Sequence, residues 1–249
     1  MSSLVEAAIE RSEKYVSEFI VCNVMISTSD LDTSLIPSFE FKFEGKVRDV
    51  YVCRDCVILV STDRLSAFDR VLTSIPWKGS VLNQTSLFWF DQTNDIVPNH
   101  VICSPHPNVL ICKKCSVFPI EFVMRGYMTG STSTSIWKNY EKGVRSYCGH
   151  SLEGGIIKNS KLPENLLTPT TKNEVHDELI SASEVVEKGH MTLSDWNLCE
   201  KYSQDLFKRG QEKALEKGLI LVDTKYEFGR DSEGTWAMFS TLQEHLHRM

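Results

Sequence analysis

Apolar and polar positions alternate with a period of two in several short stretches of this chain, and with a period of about 3.6 in two longer ones. Between Phe41 and about Cys115 the order reads strand, turn, strand, loop, helix, strand. The first two strands, Val47–Val52 and Val57–Val60, are joined by an Arg54-Asp55 turn. The helix of this region is expected from Val81 to Thr93, entered after Gly79-Ser80, with Leu82, Trp89 and Phe90 available for its buried face. A second helix is expected from about Leu193 to Lys217. Thr192 with Asp195 suits its N-terminus, Trp196, Cys199, Leu206, Phe207 and Ala214 fall on its core side, and Gly218 stands where a C-cap belongs. A buried apolar strand, Leu219–Val222, is expected to follow at once. Pro119 inside Val117–Met124 points to an edge strand or a bulge. Thr129–Ser135 and Lys161–Lys172 read as polar, turn-rich segments. The first forty residues hold an amphipathic stretch near Leu4–Phe19 and then a polar, linker-like run, STSDLDTS. Antiparallel strands early, then mixed helices and strands, predict an α+β fold.

The chain has 249 residues, enough for one large domain or two closely joined subdomains. No apolar run approaches the length of a transmembrane helix, so no membrane association is expected. Glu6, Glu10 and Glu13 near the start argue against a transit peptide, and no secretory signal is evident, so a cytoplasmic address is expected by default. The net charge is −6 and there is no block of like charges, which speaks against nucleic-acid binding. Net charge does not decide small-anion binding, because local fields do. Eight cysteines include two CxxC pairs, Cys53/Cys56 and Cys112/Cys115. They admit a competing reading as a zinc-binding interaction module, set against reduced, partly buried thiols in a reducing compartment.

The most chemically loaded segment is LVDTKYEFG, Leu221 to Gly229. In an extended chain Asp223, Lys225 and Glu227 share one face, while Thr224, Tyr226 and Phe228 pack on the other. Such a row suits a cleft holding Mg²⁺ and a phosphorylated ligand, and equally a solvated strand edge. Arg125 ends a strand and is followed by a turn with Gly126, Gly130 and Ser131, a donor set matched to an anionic ligand. Gly45-Lys46-Val47-Arg48-Asp49 sets two cations beside a flexible Gly at a strand start. It is not a Walker A loop, because GxxxxGK[ST] is absent. Thr62 to Asp69 reads as a loop at a strand end.

These segments together resemble the signature stretches of the SAICAR synthetase family, the ATP-dependent ligases of purine biosynthesis. The resemblance runs from about Gly45 to about Gly234 through GKVRDVY, STDRLSAFDRVL, IPWKGSVLNQTS, the Arg125 segment, KLPENLLTPTTK and LVDTKYEFG, in the family's order. It is to the longer, eukaryote- and plant-like form. It implies a small antiparallel β-rich lobe packed on a larger α+β lobe, with the ATP cleft between them. The corresponding divisions are 1–40 as a divergent N-terminal segment, 41–115 as the ATP-covering lobe, 116–234 as the substrate lobe and 235–249 as a non-family tail. Lys46, Arg48 and Glu121 are then expected at ATP, and Ser66, Asp69, Arg125, Ser131, Thr170 and Lys172 at the substrate. Asp223, Lys225 and Glu227 are expected to be catalytic, with Asp223 and Glu227 holding the metal. Lys78, Asn83 and Ser86 are of second rank. The implied reaction joins aspartate to carboxyaminoimidazole ribonucleotide with ATP and Mg²⁺, giving SAICAR, ADP and phosphate. Plant members of the family work in plastids, so the plastid stroma is the alternative address. The residues carry no signal for oligomeric state.

Beyond Gly234 the residues, TWAMFSTLQEHLHRM, depart from the family's acidic and Ser-Ser-Arg stretch, and neither His245 nor His247 replaces it. This departure keeps open, as the alternative to a working ligase, a truncated isoform or gene-model product that is inactive or only binds nucleotide.

Overall fold

The computed structural model describes residues 32–67, 70–172 and 178–239. The expected Leu4–Phe19 helix, Asp69, His176-Asp177, His245 and His247 lie outside these residues. Two compact units are present. The first holds the described residues to Gln92 with Asn99–Ser116 and Asp231–Thr235. The second holds Thr93–Pro98, Val117–Arg230 and the described residues from Trp236.

The first unit is built on β1 (Phe39–Glu44), β2 (Arg48–Cys53), β3 (Cys56–Ser61), β4 (Arg64–Ala67), β5 (Arg70–Ser74), α1 (Lys78–Gln92), β6 (Val101–His106) and β7 (Val109–Lys113). Five of its strands form an antiparallel sheet in the order β1-β2-β3-β7-β6, and β4 and β5 form a separate hairpin. The period of two in β2 and β3 sends Tyr51, Cys53, Ile58 and Val60 into a core with Ile36, Val109 and Ile111. Each such fully buried side chain contributes about 1.5–3 kcal/mol relative to exposure. On the opposite face Arg48, Val50, Val52, Val57 and Leu59 are only half-buried.

Helix α1 departs from expectation twice. It begins at Lys78 rather than Val81, and the residues it buries are Gly79, Asn83, Ser86 and Phe90. Leu82 and Trp89 are half-buried, while Val81 and Phe88 are exposed. The cause is the polar surface the helix meets. Asn83 Nδ2 donates to the Pro107 carbonyl at 2.9 Å, and the Gly79 N–H donates to Asp63 Oδ1 at 2.9 Å.

Strand β8 (Cys115–Val117) lies at the boundary between the units. The second unit follows with β9 (Ile120–Tyr127), α2 (Ile136–Glu141), β10 (Ser146–Tyr147), β11 (His150–Ser151), β12 (Lys161–Leu167), β13 (Thr170–Thr171), α3 (Ala182–Glu187), α4 (Leu193–Leu215), β14 (Asp223–Tyr226), β15 (Phe228–Asp231) and β16 (Trp236–Met238). Strand β9 is central: β14 pairs one edge, and β12 and β13 pair the other. Pro119 therefore stands just ahead of an interior strand, not within it. Lys161–Lys172 is correspondingly strand rather than loop, because Leu162, Leu166 and Leu167 are buried while Lys161, Pro163 and Glu164 face outward.

Helix α4 is capped by Thr192, whose hydroxyl accepts the Asp195 N–H at 3.1 Å. It buries Trp196, Cys199, Leu206 and Phe207 against the sheet, together with Ser203 and Gly210, and leaves Ala214 half-buried. Phe122 of β9 stacks on Trp196 at 5.3 Å and meets Phe228 edge-on at 5.2 Å. After the turn at Gly218, with φ of 70°, Leu219–Val222 is neither strand nor core. Leu219 is 51% and Ile220 60% exposed, and β14 begins only at Asp223.

Candidate functional site

The polar face of the second unit grows out of strand geometry. Glu121, Val123 and Arg125 alternate along β9 with Ile120, Phe122 and Met124, which are buried in the core. Opposite them on β14, Asp223 pairs with Arg125 and Lys225 with Val123. On the other edge Thr170 pairs with Glu121. Paired residues project to the same side of a sheet, so one face collects Glu121, Arg125, Thr170, Asp223 and Lys225. Thr224, Tyr226 and Phe228 go to the apolar side, where all three are buried.

The contacts on this face are closely specified. Lys225 Nζ donates to Glu121 Oε1 at 2.7 Å, and Thr170 Oγ1 donates to Glu121 Oε2 at 3.0 Å. Arg125 Nε donates to Thr168 Oγ1 at 2.9 Å, and its guanidinium stands 3.7 Å from the Asp223 carboxylate. Glu227 lies just past β14, where it accepts Lys172 Nζ at 2.7 Å. Seven residues singled out in the sequence are thus held on or beside one sheet: Glu121, Arg125, Thr170, Lys172, Asp223, Lys225 and Glu227. Ser131 is exposed in the loop after β9. That loop is tight, since a Cβ on Gly130 (φ 109°) would meet Ser135 Cβ at 2.3 Å.

Two neighbours of Arg125 gave no signal in the sequence. The Tyr147 hydroxyl interacts with the Arg125 guanidinium and donates to the Thr134 carbonyl. Burial pushes its pKa up to about 12, with Arg125 opposing, so it stays a neutral donor. The adjacent Cys148 thiol is also raised by burial to about 12. Tyr147 comes from a two-residue strand and Cys148 from the turn after it, and neither has an apolar periodicity to announce it.

In the first unit the Gly45–Asp49 loop is fastened from beneath. Arg64 donates to the Gly45 carbonyl at 2.9 Å, to the Lys46 carbonyl at 3.4 Å and to Asp49 Oδ1 at 2.6 Å. Thr62 Oγ1 donates to the Val47 carbonyl at 2.8 Å. Lys46 is left exposed, Arg48 half-buried, and Ser66 half-buried in β4. Arg64 is therefore a positioning residue for that loop.

The CxxC pairs do not form a metal centre. Cys53 and Cys56 flank the Arg54-Asp55 turn, are both buried and hydrogen-bond one another. That partner, together with burial, drives the Cys53 thiol far above the ordinary thiol range, and burial does the same for Cys112. Cys56 is shifted the other way, its thiol pKa lowered by the hydrogen bond with Cys53. Among the described residues no group of three or more His, Cys, Asp or Glu side chains is placed to hold a metal ion. For Mg²⁺ the donor chemistry is suitable, because one or two carboxylates together with substrate phosphates suffice. Asp223 and Glu227 supply hard oxygen donors, 18% and 15% exposed.

The family model for SAICAR synthetase matches residues 42–242, and the chain belongs to that family. It is similar to the chloroplastic phosphoribosylaminoimidazole-succinocarboxamide synthase of Arabidopsis thaliana, 55% identical over 213 residues, which are 86% of this chain and 51% of that protein. Among solved structures, the SAICAR-synthase from Saccharomyces cerevisiae complexed with SAICAR superposes with a TM-score of 0.72 at 31% identity, covering 86% of this chain and 75% of that one. A type-2 SAICAR synthetase in complex with ADP shares the fold, with a TM-score of 0.65 at 24% identity, covering 80% of this chain and 79% of that one. The α+β architecture is the architecture of these structures. The chain spans about half to two thirds of the length of the curated relatives it matches. No helix among the described residues is long and apolar enough to cross a membrane.

Proposed function

We propose that this chain serves the ligase reaction of de novo purine biosynthesis, joining the amine of aspartate to the carboxylate of carboxyaminoimidazole ribonucleotide with cleavage of ATP to ADP and phosphate. The observation that carries the reading is the β9–β14 face, where Arg125, Lys225 and Lys172 stand among Glu121, Asp223 and Glu227. Alternating fixed charges of this kind suit a reaction whose substrates are all anionic and whose barrier falls through alignment and charge neutralisation. Family membership and the SAICAR-bound yeast relative support it, and the ADP-bound relative supports nucleotide use.

In this reading Lys46 and Arg48 cover the polyphosphate, and Glu121 serves the nucleotide. Arg125, Ser131, Ser66, Asp69, Thr170 and Lys172 hold the imidazole nucleotide and the amino acid. Asp223 and Glu227 would hold Mg²⁺, which when bound neutralises phosphate charge. Lys225 stands between them, steadied by Glu121. The substrate carboxylate would take the γ-phosphoryl group, and the aspartate amine would then displace phosphate from the acyl carbon and lose its proton to solvent. The chloroplastic Arabidopsis relative supports the plastid stroma as the compartment. The test is SAICAR formation by the purified chain with ATP, Mg²⁺, aspartate and carboxyaminoimidazole ribonucleotide. ADP release that is absent, or indifferent to the two co-substrates, would sink the reading for this chain.

A further inference from the structure

Lys78 is the first residue of the fifteen-residue helix α1, and its ammonium is disfavoured there for three reasons. A helix N-terminus carries partial positive charge and repels a cation. The Lys78 Nζ is sealed from solvent, and no described residue accepts a hydrogen bond from it. Burial, the largest influence, pulls its pKa below that of an ordinary lysine, and Arg48 adds to this while Asp63 opposes it. Asp63 is already engaged, since its Oδ1 receives the Gly79 N–H. A buried ammonium without an acceptor is costly unless an anion meets it.

The surroundings are rich in donors. Arg48 on β2 lies directly across from Ser61 on β3, so the two side chains share a face of the sheet. It is the half-buried face with Val50, Val52, Val57 and Leu59, not the sealed core face. The Ser61 hydroxyl is likewise buried with no partner among the described residues. Its backbone is fixed, donating to the Asn108 carbonyl at 2.8 Å and accepting Asn108 Nδ2 at 2.8 Å. The start of α1 presses on this backbone, since a Cβ on Gly79 would sit 2.3 Å from the Ser61 carbonyl oxygen. Guanidinium, hydroxyl and ammonium are thereby grouped where β2, β3 and the first turn of α1 meet.

We propose that Lys78, with Arg48 and Ser61, forms an oxyanion-binding subsite inside the first unit, which takes a phosphate or carboxylate group of a bound ligand. The subsite stands on the geometry alone; only the expectation that its ligand is a substrate rests on the ligase reading.

Lys78→Met keeps an unbranched side chain, one heavy atom shorter, and removes its charge. Tripolyphosphate and L-aspartate, titrated calorimetrically, separate the phosphate source from the carboxylate source. The expected result is at least a tenfold loss of affinity for one probe in Lys78→Met, with Lys78→Arg retaining most of it. The ligand-free variant should also melt higher than the wild type, by about 2–4 °C, because a buried unsatisfied charge has gone. A Lys78→Met chain that melts lower and binds both probes like the wild type would overturn the proposal, since the ammonium would then be satisfied internally. Failure of the wild type to bind either probe would overturn it as well. Loss of probe binding in Lys78→Met, with no SAICAR formed by the wild type, would sink the ligase reading and leave the subsite standing.

Discussion

Lys225 reaches diagonally across the β9–β14 pair to Glu121, Nζ to Oε1 at 2.7 Å, although the residue directly opposite it is Val123. The Glu121 side chain is 7% exposed and that of Lys225 15%, so each charge depends on the other. Thr170 fills the second carboxylate oxygen. The pair also sets the direction in which the Lys225 ammonium points along the polar face.

Glu121→Gln should therefore destabilise the chain by about 1.5–3 kcal/mol, since it removes the charge-assisted hydrogen bond to the largely buried Lys225 ammonium. Urea unfolding at neutral pH measures this. A Glu121→Gln, Lys225→Met double variant should recover part of the loss, because neither charge then remains. A single variant within about 0.5 kcal/mol of the wild type would show that the pair is solvated.

Arg125→Lys keeps the charge but gives up the planar fork that reaches Thr168 and faces Asp223. Affinity for the imidazole nucleotide should drop more than about tenfold, with ATP affinity changing much less. Equal losses for the two ligands would instead assign Arg125 a shared or structural role.

Asp223→Asn should abolish Mg²⁺-dependent ATP binding while shifting stability by about 1 kcal/mol or less. The 3.7 Å separation from Arg125 is beyond hydrogen-bond range and the guanidinium keeps its Thr168 contact, so the change removes a metal ligand with little repacking. Wild-type Mg·ATP affinity in a folded variant would rule the assignment out.

Gly79→Ala sets helix propensity against packing. Alanine favours a helix interior by about 1 kcal/mol over glycine. Here, however, the new Cβ would lie 2.3 Å from the Ser61 carbonyl oxygen and 2.6 Å from Asn108 Nδ2. Backbone cannot swing aside as a side chain does, so a net loss of about 2–3 kcal/mol is expected in thermal or urea unfolding. An unchanged or higher stability would mean that α1 shifts freely on the sheet.

His106 gives the chain an acid-side stability step. Its Nδ1 accepts the Asn108 N–H at 3.2 Å, which requires the neutral ring, and burial lowers its pKa below the usual 6.5. A depressed folded pKa means that the contribution is complete above 6.5 and is lost as pH falls through the lower folded value. Melting temperature should fall as pH drops from 6.5 towards that lower value and then level off, with a smaller fall in His106→Asn. Identical pH profiles would exclude His106 as the source.

What could be read from the residues was mostly local. The alternation in LVDTKYEFG put Asp223 and Lys225 on one side and Thr224, Tyr226 and Phe228 on the other, and the backbone follows it. Thr192 marked the start of α4 because capping is a short-range hydrogen bond. Leu219–Val222 misled, since an apolar run announces burial without saying what would bury it. Helix α1 misled in the opposite sense, because its buried Asn83 and Ser86 answer a polar surface contributed by Pro107 and its neighbours, far away in the chain. The encounters of Arg125 with Tyr147, and of Arg64 with the Gly45–Asp49 loop, are likewise long-range, and no spacing rule encodes them.

The Arg64 fastening also has a bearing on ionic strength. Asp49 is fully buried and the Arg64 side chain only 12% exposed, so mobile ions cannot enter between them. Raising salt from physiological levels to about 1 M shortens the Debye length from about 8 Å to about 3 Å, which weakens interactions through solvent and leaves enclosed ones nearly intact. Lys172, 53% exposed, holds Glu227 through the solvent side. The Gly45–Asp49 loop should thus keep its shape in brine while the Lys172–Glu227 pair loosens. The Arg64–Asp49 fastening is salt-proof and the Lys172–Glu227 pair salt-sensitive, each within its own unit.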